Sequence, residues 1–195
     1  MTLTDLLKGA VCMLKNIKIT LSGSVGSGKS TIGKLLSEKL NVEFISVGNL
    51  SRKKAELMGM DIDQFQVYLK KHPEMDREMD KYIIEEMEGK TNFILDYRLG
   101  FHFIKNSFNV LLKVSPELAL KRVSGRVGTN EFYDGLGLEQ KITKMNARNL
   151  NMQTRFLELY QVDFLSEKNY DLVLETDELE PQEITSKIIT QLKQT

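Results

Sequence analysis

Residues 23–30 contain a complete Gly-x-x-x-x-Gly-Lys-Ser phosphate-loop motif. A hydrophobic run, Ile17–Leu21, precedes this motif, and a helical pattern from Lys29 to Leu40 follows it. The order of strand, loop and helix is the structural context in which the motif cradles phosphates. The motif therefore predicts a site for a nucleoside triphosphate with Mg²⁺.

The residue types of the motif explain how it would hold the nucleotide. Glycines let the backbone approach the phosphates, so that successive N–H groups point at them from the start of the next helix. Lys29 is expected to reach the β- and γ-phosphates, and the Ser30 hydroxyl to ligate Mg²⁺. The predicted ATP-binding residues are Gly23, Ser24, Val25, Gly26, Ser27, Gly28, Lys29, Ser30 and Thr31. A Gly/Ser-rich turn that only caps a helix is the alternative interpretation.

A carboxylate and an arginine follow the apolar segment Phe93–Leu95. Ligands of open parallel sheets bind at the carboxyl ends of the strands, so Asp96 is expected to face the phosphate loop. There it would hold Mg²⁺ through a water molecule, or orient the ion through Ser30. Arg98 can fork onto a phosphate. A turn residue at the end of the strand is the alternative for Asp96.

Other arginines have the spacing of residues on one helix face. Arg122 and Arg126 are four residues apart, and Arg148 and Arg155 are seven apart. Phosphoryl transfer develops negative charge between donor and acceptor, which arginines on a closing lid would neutralise. A solvated basic face is the alternative for each pair. Arg52, in the helix after the second predicted strand, could hold an acceptor phosphate or lie at the surface.

Composition limits the classes of protein to consider. The chain has 195 residues, 41% hydrophobic content and zero formal net charge, which fits one globular domain without an overall basic field for nucleic acid. No apolar stretch approaches the ~20 residues of a membrane span. The single cysteine, Cys12, allows no intrachain disulfide and fits a reducing compartment. We expect a cytoplasmic protein that binds neither nucleic acid nor membrane, and we expect it to be a monomer.

Strand-like runs that alternate with helical patterns predict an α/β fold of three layers, with a five-stranded parallel sheet and helices on both faces. The runs are Ile17–Leu21, Val42–Ser46, Phe93–Asp96, Val110–Val114 and Leu172–Glu175. Pro116 and Pro181 fit the first turn of a helix. The pair His72-Pro73 is expected to divide the helical stretch 61–88 into two helices.

Two helical segments exceed what the sheet requires. Residues 49–88 are expected to form an acceptor-binding lobe, and residues 123–165 a mobile lid that includes a long helix. Helical excursions that only complete the fold are the alternative. The core of this single domain, residues 1–195, would consist of residues 13–48, 89–122 and 166–195. Residues 1–12 are expected to be a loosely held extension, unless translation starts at Met13.

The sequence resembles the nucleoside monophosphate kinases of the P-loop superfamily, and most closely the short, archaeal-like cytidylate kinases. The resemblance covers nearly all of residues 14–195. The segments that carry it are the phosphate loop with Thr31–Leu40, Ile45–Arg52, His72–Asp80, Asp96–Leu99, Arg122–Arg126, Arg148 and Arg155–Tyr160. The loop identifies only the superfamily, whereas the acceptor-lobe and lid segments point to cytidylate.

The resemblance implies in-line transfer of a phosphoryl group from Mg²⁺·ATP to CMP or dCMP. The acceptor phosphate is already anionic, so no strong general base is expected. The residues implied in catalysis are Lys29, Asp96, Arg122 and Arg126, and those implied in acceptor binding are Arg52, Arg77, Arg98, Arg148 and Arg155. Arg77 would recognise the pyrimidine together with Asp76 or Asp80. Ser30 and Asp96 would hold the Mg²⁺.

Four residues depart from the pattern of the family. Tyr97 replaces the usual glycine before Arg98 and would crowd the acceptor phosphate. Val47 stands where longer bacterial relatives have a serine that contacts cytosine, and Leu150 and Met152 stand where relatives often have charged side chains. We expect these positions to affect base selectivity and rate more than ATP binding.

Two other functions fit the same motifs. A kinase of another small acceptor, such as AMP, UMP or a sugar-like metabolite, would use the same loop and lobes, because a fold does not determine the substrate. A nucleotide switch or assembly ATPase would act with a protein partner. Arginines within the lid argue against the second function, since no partner needs to supply them.

Overall fold

Five largely apolar segments form one parallel sheet in the computed structural model, which describes residues 16–124 and 135–194. The strands are β1 (Lys18–Gly23), β2 (Glu43–Ser46), β3 (Phe93–Asp96), β4 (Phe108–Lys113) and β5 (Leu172–Glu175). Their order in the sheet is β2-β3-β1-β4-β5, and every pairing is parallel. The predicted strands are confirmed, since each begins and ends within two residues of its expected range.

Helices connect the strands and cover both faces of the sheet. Within the described ranges they are α1 (Lys29–Leu40), α2 (Val47–Leu57), α3 (Ile62–Lys71), α4 (Pro73–Met87), α5 (Gly100–Phe103), α6 (Pro116–Ser124), α7 (Leu138–Tyr160) and α8 (Pro181–Leu192), with a 3₁₀ turn at Glu167–Asn169. Two neighbouring parallel strands can be joined only by a crossover connection, and in this protein helices form these connections.

Local signals set several helix boundaries. The predicted break at His72 is confirmed, because α3 ends at Lys71 and α4 begins at Pro73. A proline at the first helical position gives up no intrahelical hydrogen bond, because the N–H it lacks would have had no partner. The start of α3 is closed by a capping box, in which Asp61 and Gln64 each accept the other's backbone N–H.

Two apolar layers lie on the two faces of the sheet. Side chains alternate along a strand, so Phe93 and Leu95 pack in one layer and Ile94 in the other. A third, small cluster between α2 and α3 is built from Ala55, Phe65 and Leu69. Residues 49–88 therefore have buried side chains of their own, apart from those on the sheet.

Some predictions fall outside the described ranges. Arg126 lies in residues 125–134, and the N-terminal residues 1–12 also lie outside. Further along, the long helix expected within residues 123–165 is confirmed as the 23-residue α7. No helix among the described residues is long and apolar enough to cross a membrane.

Candidate active site

The phosphate loop follows β1 directly and ends at the first residue of α1. Gly23 has a φ of 140°, and a Cβ atom at this position would lie 2.2 Å from the Leu112 carbonyl oxygen. Gly28, with a φ of 94°, is the N-cap of α1. Only glycine satisfies both the backbone angle and the contact at position 23. The loop thus places the positive end of α1 at the carboxyl edge of the sheet.

Lys29 is buried, and its ammonium group lies within the phosphate loop. Its Nζ donates to the carbonyl oxygens of Gly23 and Ser24, across 2.9 and 2.7 Å, and to Ser27 Oγ across 3.2 Å. These contacts hold the positive charge inside the turn of the loop. Lys29 is therefore positioned to neutralise an anion that the loop binds.

Asp96 lies beside the first helical turn after the loop. Its Oδ2 accepts hydrogen bonds from Ser30 Oγ across 2.7 Å and from Ser46 Oγ across 3.2 Å. The parallel register explains this meeting, because β3 pairs Asp96 with Leu21 of β1 and with Ser46 of β2. The structure thus brings Asp96 to the phosphate loop, at the edge where the strand ends were expected to meet.

The oxygen atoms of Ser30 and Asp96 suit Mg²⁺, which prefers hard oxygen ligands. The residues described in the structure contain no group of three or more His, Cys, Asp or Glu side chains that could hold a metal ion. This agrees with the usual mode of Mg²⁺ in kinases, in which one or two protein ligands act together with substrate phosphates. The donor set therefore fits the ion, and its binding stays a prediction.

A cavity of about 110 Å³ adjoins the phosphate loop on the side of α2, α3 and α7. Its walls include Gly26, Gly28, Lys29, Ser30, Ser51, Arg52, Gln66, Asp96, Arg98, Arg148 and Met152. The Nε atoms of Arg98 and Arg148 are buried and have no hydrogen-bond partner among the described residues. Buried polar atoms in native proteins are almost always paired. The cavity is therefore lined by two arginines whose hydrogen-bonding capacity is not fully used by the described residues.

The electrostatics of this cavity favour an anion. Burial is the main cause that lowers the pKa of Arg98 to about 10; Asp96 opposes this shift, and the nearby positive charges of Arg148, Arg155 and Arg52 add to it. Like charges at close range destabilise one another until an anion neutralises them. A cavity with this cluster of positive charges suits an anionic group such as a phosphate.

A smaller cavity of about 50 Å³ continues from the first. Arg155 and Asp76 form a buried ion pair in its wall, with Nε 2.6 Å from Oδ2. The terminal nitrogens of Arg155 also donate to Gln66 Oε1, each across 3.2 Å. Burial raises the pKa of Asp76 to about 6, although Arg155 opposes the shift. This side of the site presents both donors and acceptors.

Asp80, one turn after Asp76 on α4, also lines the smaller cavity. The hydroxyl of Tyr97 donates to its Oδ1 across 2.5 Å, and the hydroxyl of Tyr160 donates to its Oδ2, also across 2.5 Å. Tyr97 is buried, and its hydroxyl is bonded to a carboxylate of α4. Val47 and Met152, which also depart from the family pattern, line this cavity as well, whereas Leu150 is exposed.

Other predicted residues lie elsewhere. The guanidinium of Arg122 donates to Thr176, to Oγ1 across 2.9 Å and to the carbonyl oxygen across 2.8 Å. Arg122 NH1 lies 4.0 Å from the Cβ position that Gly28 lacks, so Arg122 lies beside the phosphate loop rather than with the other arginines. Arg52 donates to Asn49 at the cavity wall. Arg77 is exposed and lines neither cavity.

Three contributors were missed by sequence reasoning. Asn149 Oδ1 accepts the backbone N–H of Val25 across 3.0 Å, Ser46 donates to Asp96, and Gln66 accepts from Arg155. The adjacency of Asn149 to Arg148 was a usable signal for the first. Ser46 is the last residue of a predicted strand, and its contact with Asp96 could be predicted only once the order of the strands in the sheet was known.

The sheet order, the phosphate loop and the arginine cavity define a P-loop kinase. A family model described as an AAA domain matches residues 19–133. Two solved shikimate kinases share the fold. The one from Bacteroides thetaiotaomicron has a TM-score of 0.60 at 18% identity, covering 91% of this chain and 97% of that one. The one from Acinetobacter baumannii has a TM-score of 0.60 at 20% identity, covering 95% and 96%.

Sequence relatives identify the family more narrowly. A cytidylate kinase from Methanobrevibacter smithii is 30% identical, over 90% of this chain and 98% of that protein. One from Sulfurisphaera tokodaii is 32% identical, over 88% and 92%. The chain belongs to the short, archaeal-like cytidylate kinase family.

A further relative carries another name. An S-adenosylmethionine-dependent nucleotide dehydratase from Lacinutrix mariniflava is 49% identical over 88% of this chain. The chain spans only 35% of the length of that protein.

Proposed function

We propose that the chain transfers the γ-phosphoryl group of Mg²⁺·ATP to CMP or dCMP. The observation that carries the proposal is the arginine cavity beside Lys29 and Ser30. Arg98 and Arg148 line that cavity, next to the loop that would hold the donor, and the buried Nε atom of each has no hydrogen-bond partner among the described residues. A phosphate group already bound in this cavity would lie next to the γ-phosphate, which is the geometry of in-line transfer.

The division of the chain follows from this site. We assign residues 13–48, 89–122 and 166–195 to the core, residues 49–88 to the NMP-binding lobe and residues 123–165 to the lid. The apolar cluster around Phe65 supports a lobe with its own packing. Arg148 and Arg155 reach the cavities from the lid helix α7, so that closure would bring their charges to the reacting phosphates.

On the donor side, loop N–H groups and Lys29 would bind the triphosphate. Bound Mg²⁺, held by Ser30 and Asp96, would supply charge neutralisation for the β- and γ-phosphates. Lys29 would exchange its carbonyl contacts within the loop for phosphate oxygens. Arg122, fixed by Thr176 beside Gly28, would add positive charge at the same edge.

On the acceptor side, Arg98, Arg148 and Arg52 would bind the phosphate of the monophosphate. The pyrimidine would lie in the smaller cavity. Cytosine presents an amino donor beside ring acceptors. The Asp76 carboxylate and the Arg155 guanidinium, which form an ion pair in the wall of this cavity, are an acceptor and a donor group respectively. We infer that this pair recognises the base.

An acceptor panel tests the proposal. The purified chain is mixed with Mg²⁺·ATP and each of CMP, dCMP, UMP, AMP and GMP, beside a control without acceptor, and ADP formation is measured. We expect fast turnover with CMP and dCMP. Turnover with another acceptor alone would retain the kinase and overturn the proposed substrate. Hydrolysis indifferent to every acceptor would favour the assembly ATPase, and stimulation by a protein would then be sought.

The name of the Lacinutrix mariniflava relative provides a further control. Because this chain matches about a third of that protein, we do not extend the dehydratase activity to it. Addition of S-adenosylmethionine to CMP, CDP or CTP with the purified chain is expected to leave the nucleotides unchanged by mass spectrometry. Loss of the mass of one water would overturn this expectation.

A further inference from the structure

We infer that Tyr97 and Tyr160 are positioning residues, which hold Asp80 and thereby fix the base-binding wall of the acceptor cavity. The inference rests on the proposed function and deepens it. It concerns two tyrosines whose hydroxyls donate to Asp80.

Three separate parts of the chain meet at the carboxylate of Asp80. Asp80 belongs to α4, Tyr97 follows the last residue of β3, and Tyr160 is the last residue of α7. Each phenol donates to a different oxygen of the carboxylate, across 2.5 Å in both cases. The carboxylate is thus one point at which the core, the NMP-binding lobe and the lid helix are joined.

In this junction the two phenols are the hydrogen-bond donors and the Asp80 carboxylate is the acceptor. Hydrogen bonds from a hydroxyl to an ionised carboxylate are short and among the strongest in proteins. Asp80 and Tyr97 are both buried, so water does not compete for the carboxylate. The surrounding charge and burial raise the pKa of both phenols above the ordinary value. Each phenol therefore stays protonated and can act as a donor.

Packing also fixes the two phenol rings. Phe103 of α5 stacks on Tyr97, with ring centroids 6.1 Å apart, and contacts the ring of Tyr160 edge-on at 5.2 Å. Because both rings rest against one phenylalanine, the packing restricts how far either hydroxyl can follow Asp80 if α4 moves. The two bonds consequently define where α4 lies relative to the sheet.

The position of α4 matters because it carries Asp76, one member of the pair proposed to bind the base. Asp76 lies one turn before Asp80 on the same buried face, and it holds Arg155. Tyr97 stands between Asp96 and Arg98, so the end of β3 presents the metal-side carboxylate, the Asp80 anchor and the phosphate-binding arginine in succession. The junction therefore sets the distance between the base wall and the phosphate-binding arginines.

Substitutions that remove one hydroxyl test this role. We expect Tyr97→Phe and Tyr160→Phe each to raise the KM for the acceptor about tenfold, the loss of one hydrogen bond to a charged group. The KM for ATP should change less than about twofold, since no residue of α4 lines the cavity beside the phosphate loop. Tyr82→Phe removes the same hydroxyl from an exposed tyrosine of α4 and serves as the control, with both KM values unchanged.

A double-mutant cycle separates positioning from general packing. In an Asp80→Asn background, either tyrosine substitution should add little to the acceptor KM, because its partner charge is already gone. Fully additive effects, or equal changes in the KM for ATP and acceptor, would overturn the inference. Thermal unfolding of each variant identifies any that fail to fold. If one of the two tyrosine variants does not fold, the acceptor KM of the other tests the inference.

The inference and the proposed function fail in different ways. A wild-type chain that phosphorylates none of the monophosphates overturns both. A wild-type chain that works on a monophosphate while Tyr97→Phe and Tyr160→Phe keep its acceptor KM overturns the positioning role alone.

Discussion

The side-chain oxygen of Asn149 lies 3.0 Å from the backbone nitrogen of Val25, so α7 bonds directly to the phosphate loop. The preceding residue, Arg148, faces Asp63 of α3, with NH1 3.6 Å from Oδ1. Two consecutive residues of α7 therefore contact the phosphate loop and α3. If α7 moves as a unit, a change at the phosphate loop is coupled through these two contacts to a change at α3.

This contact yields a prediction for Asn149→Ala. The variant should raise the KM for ATP severalfold, because the loop loses one of the bonds that fix its backbone and a neutral hydrogen bond contributes about 1 kcal/mol. The KM for the acceptor should stay near the wild-type value. Asn146→Ala, an exposed position one turn earlier on α7, is the matched control. Steady-state kinetics with each substrate varied in turn make the measurement, and an unchanged KM for ATP would contradict the role.

Removal of the loop lysine should abolish most of the activity. Lys29→Ala is expected to lower kcat/KM by roughly 10²–10³, the loss typical of deleting one group that stabilises transition-state charge. Lys34→Ala removes an exposed lysine from the same helix and should leave the rate unchanged. Initial rates of ADP formation, together with far-UV circular dichroism to verify folding, decide the matter. Wild-type turnover in Lys29→Ala would refute the assignment.

Much of this architecture could be predicted because its signals are local. The strand runs, the break at His72 and the arrival of Asp96 at the loop follow from periodicity, proline chemistry and the rule that ligands bind at strand ends. Asp96 was placed beside Ser30 without knowledge of the partner strands. The sequence signals behind these predictions lie within a few residues of each predicted position.

The wall that we propose to bind the base could not be predicted from local sequence signals. The buried residues of α4 are Asp76, Asp80, Ile83 and Met87, at helical spacings of four, three and four. This phase turns Arg77 outward, since neighbours on a helix point about 100° apart. Two aspartates on an apolar stripe were a readable signal, and the stripe excluded Arg77 from the cavity. The bonds from Tyr97 and Tyr160, 17 and 80 residues away from Asp80, required the fold itself.

We expect Arg98 to lower the stability of the folded protein without ligands and to strengthen binding of the acceptor. Burial and three neighbouring arginines lower its pKa, which means that the protein disfavours its charge. We therefore expect Arg98→Ala to raise the acceptor KM by about 100-fold, the equivalent of a lost charge-assisted contact of 2–3 kcal/mol. The melting temperature without ligands should be equal to or above that of the wild type. A lower melting temperature with an unchanged acceptor KM would contradict both parts.

Asp76 provides a prediction about pH. Its pKa is raised from the ordinary 3.8 to about 6, mainly by burial. The native state therefore holds the proton more tightly than the unfolded chain, and the stability that this group contributes below pH 4 is lost as the pH rises through 6. Asp76→Asn lacks this titration.

The free energy of unfolding of Asp76→Asn, relative to wild type, should thus increase between about pH 4 and pH 7.5. The increase is on the order of 3 kcal/mol for a shift of this size. Urea unfolding at several pH values measures it. At neutral pH the same variant should bind the acceptor more weakly, because Arg155 loses its ionised partner and the base loses an acceptor. A stability difference that does not depend on pH would mean that the buried carboxylate keeps its ordinary pKa, in which case desolvation of this wall is weaker than its burial implies.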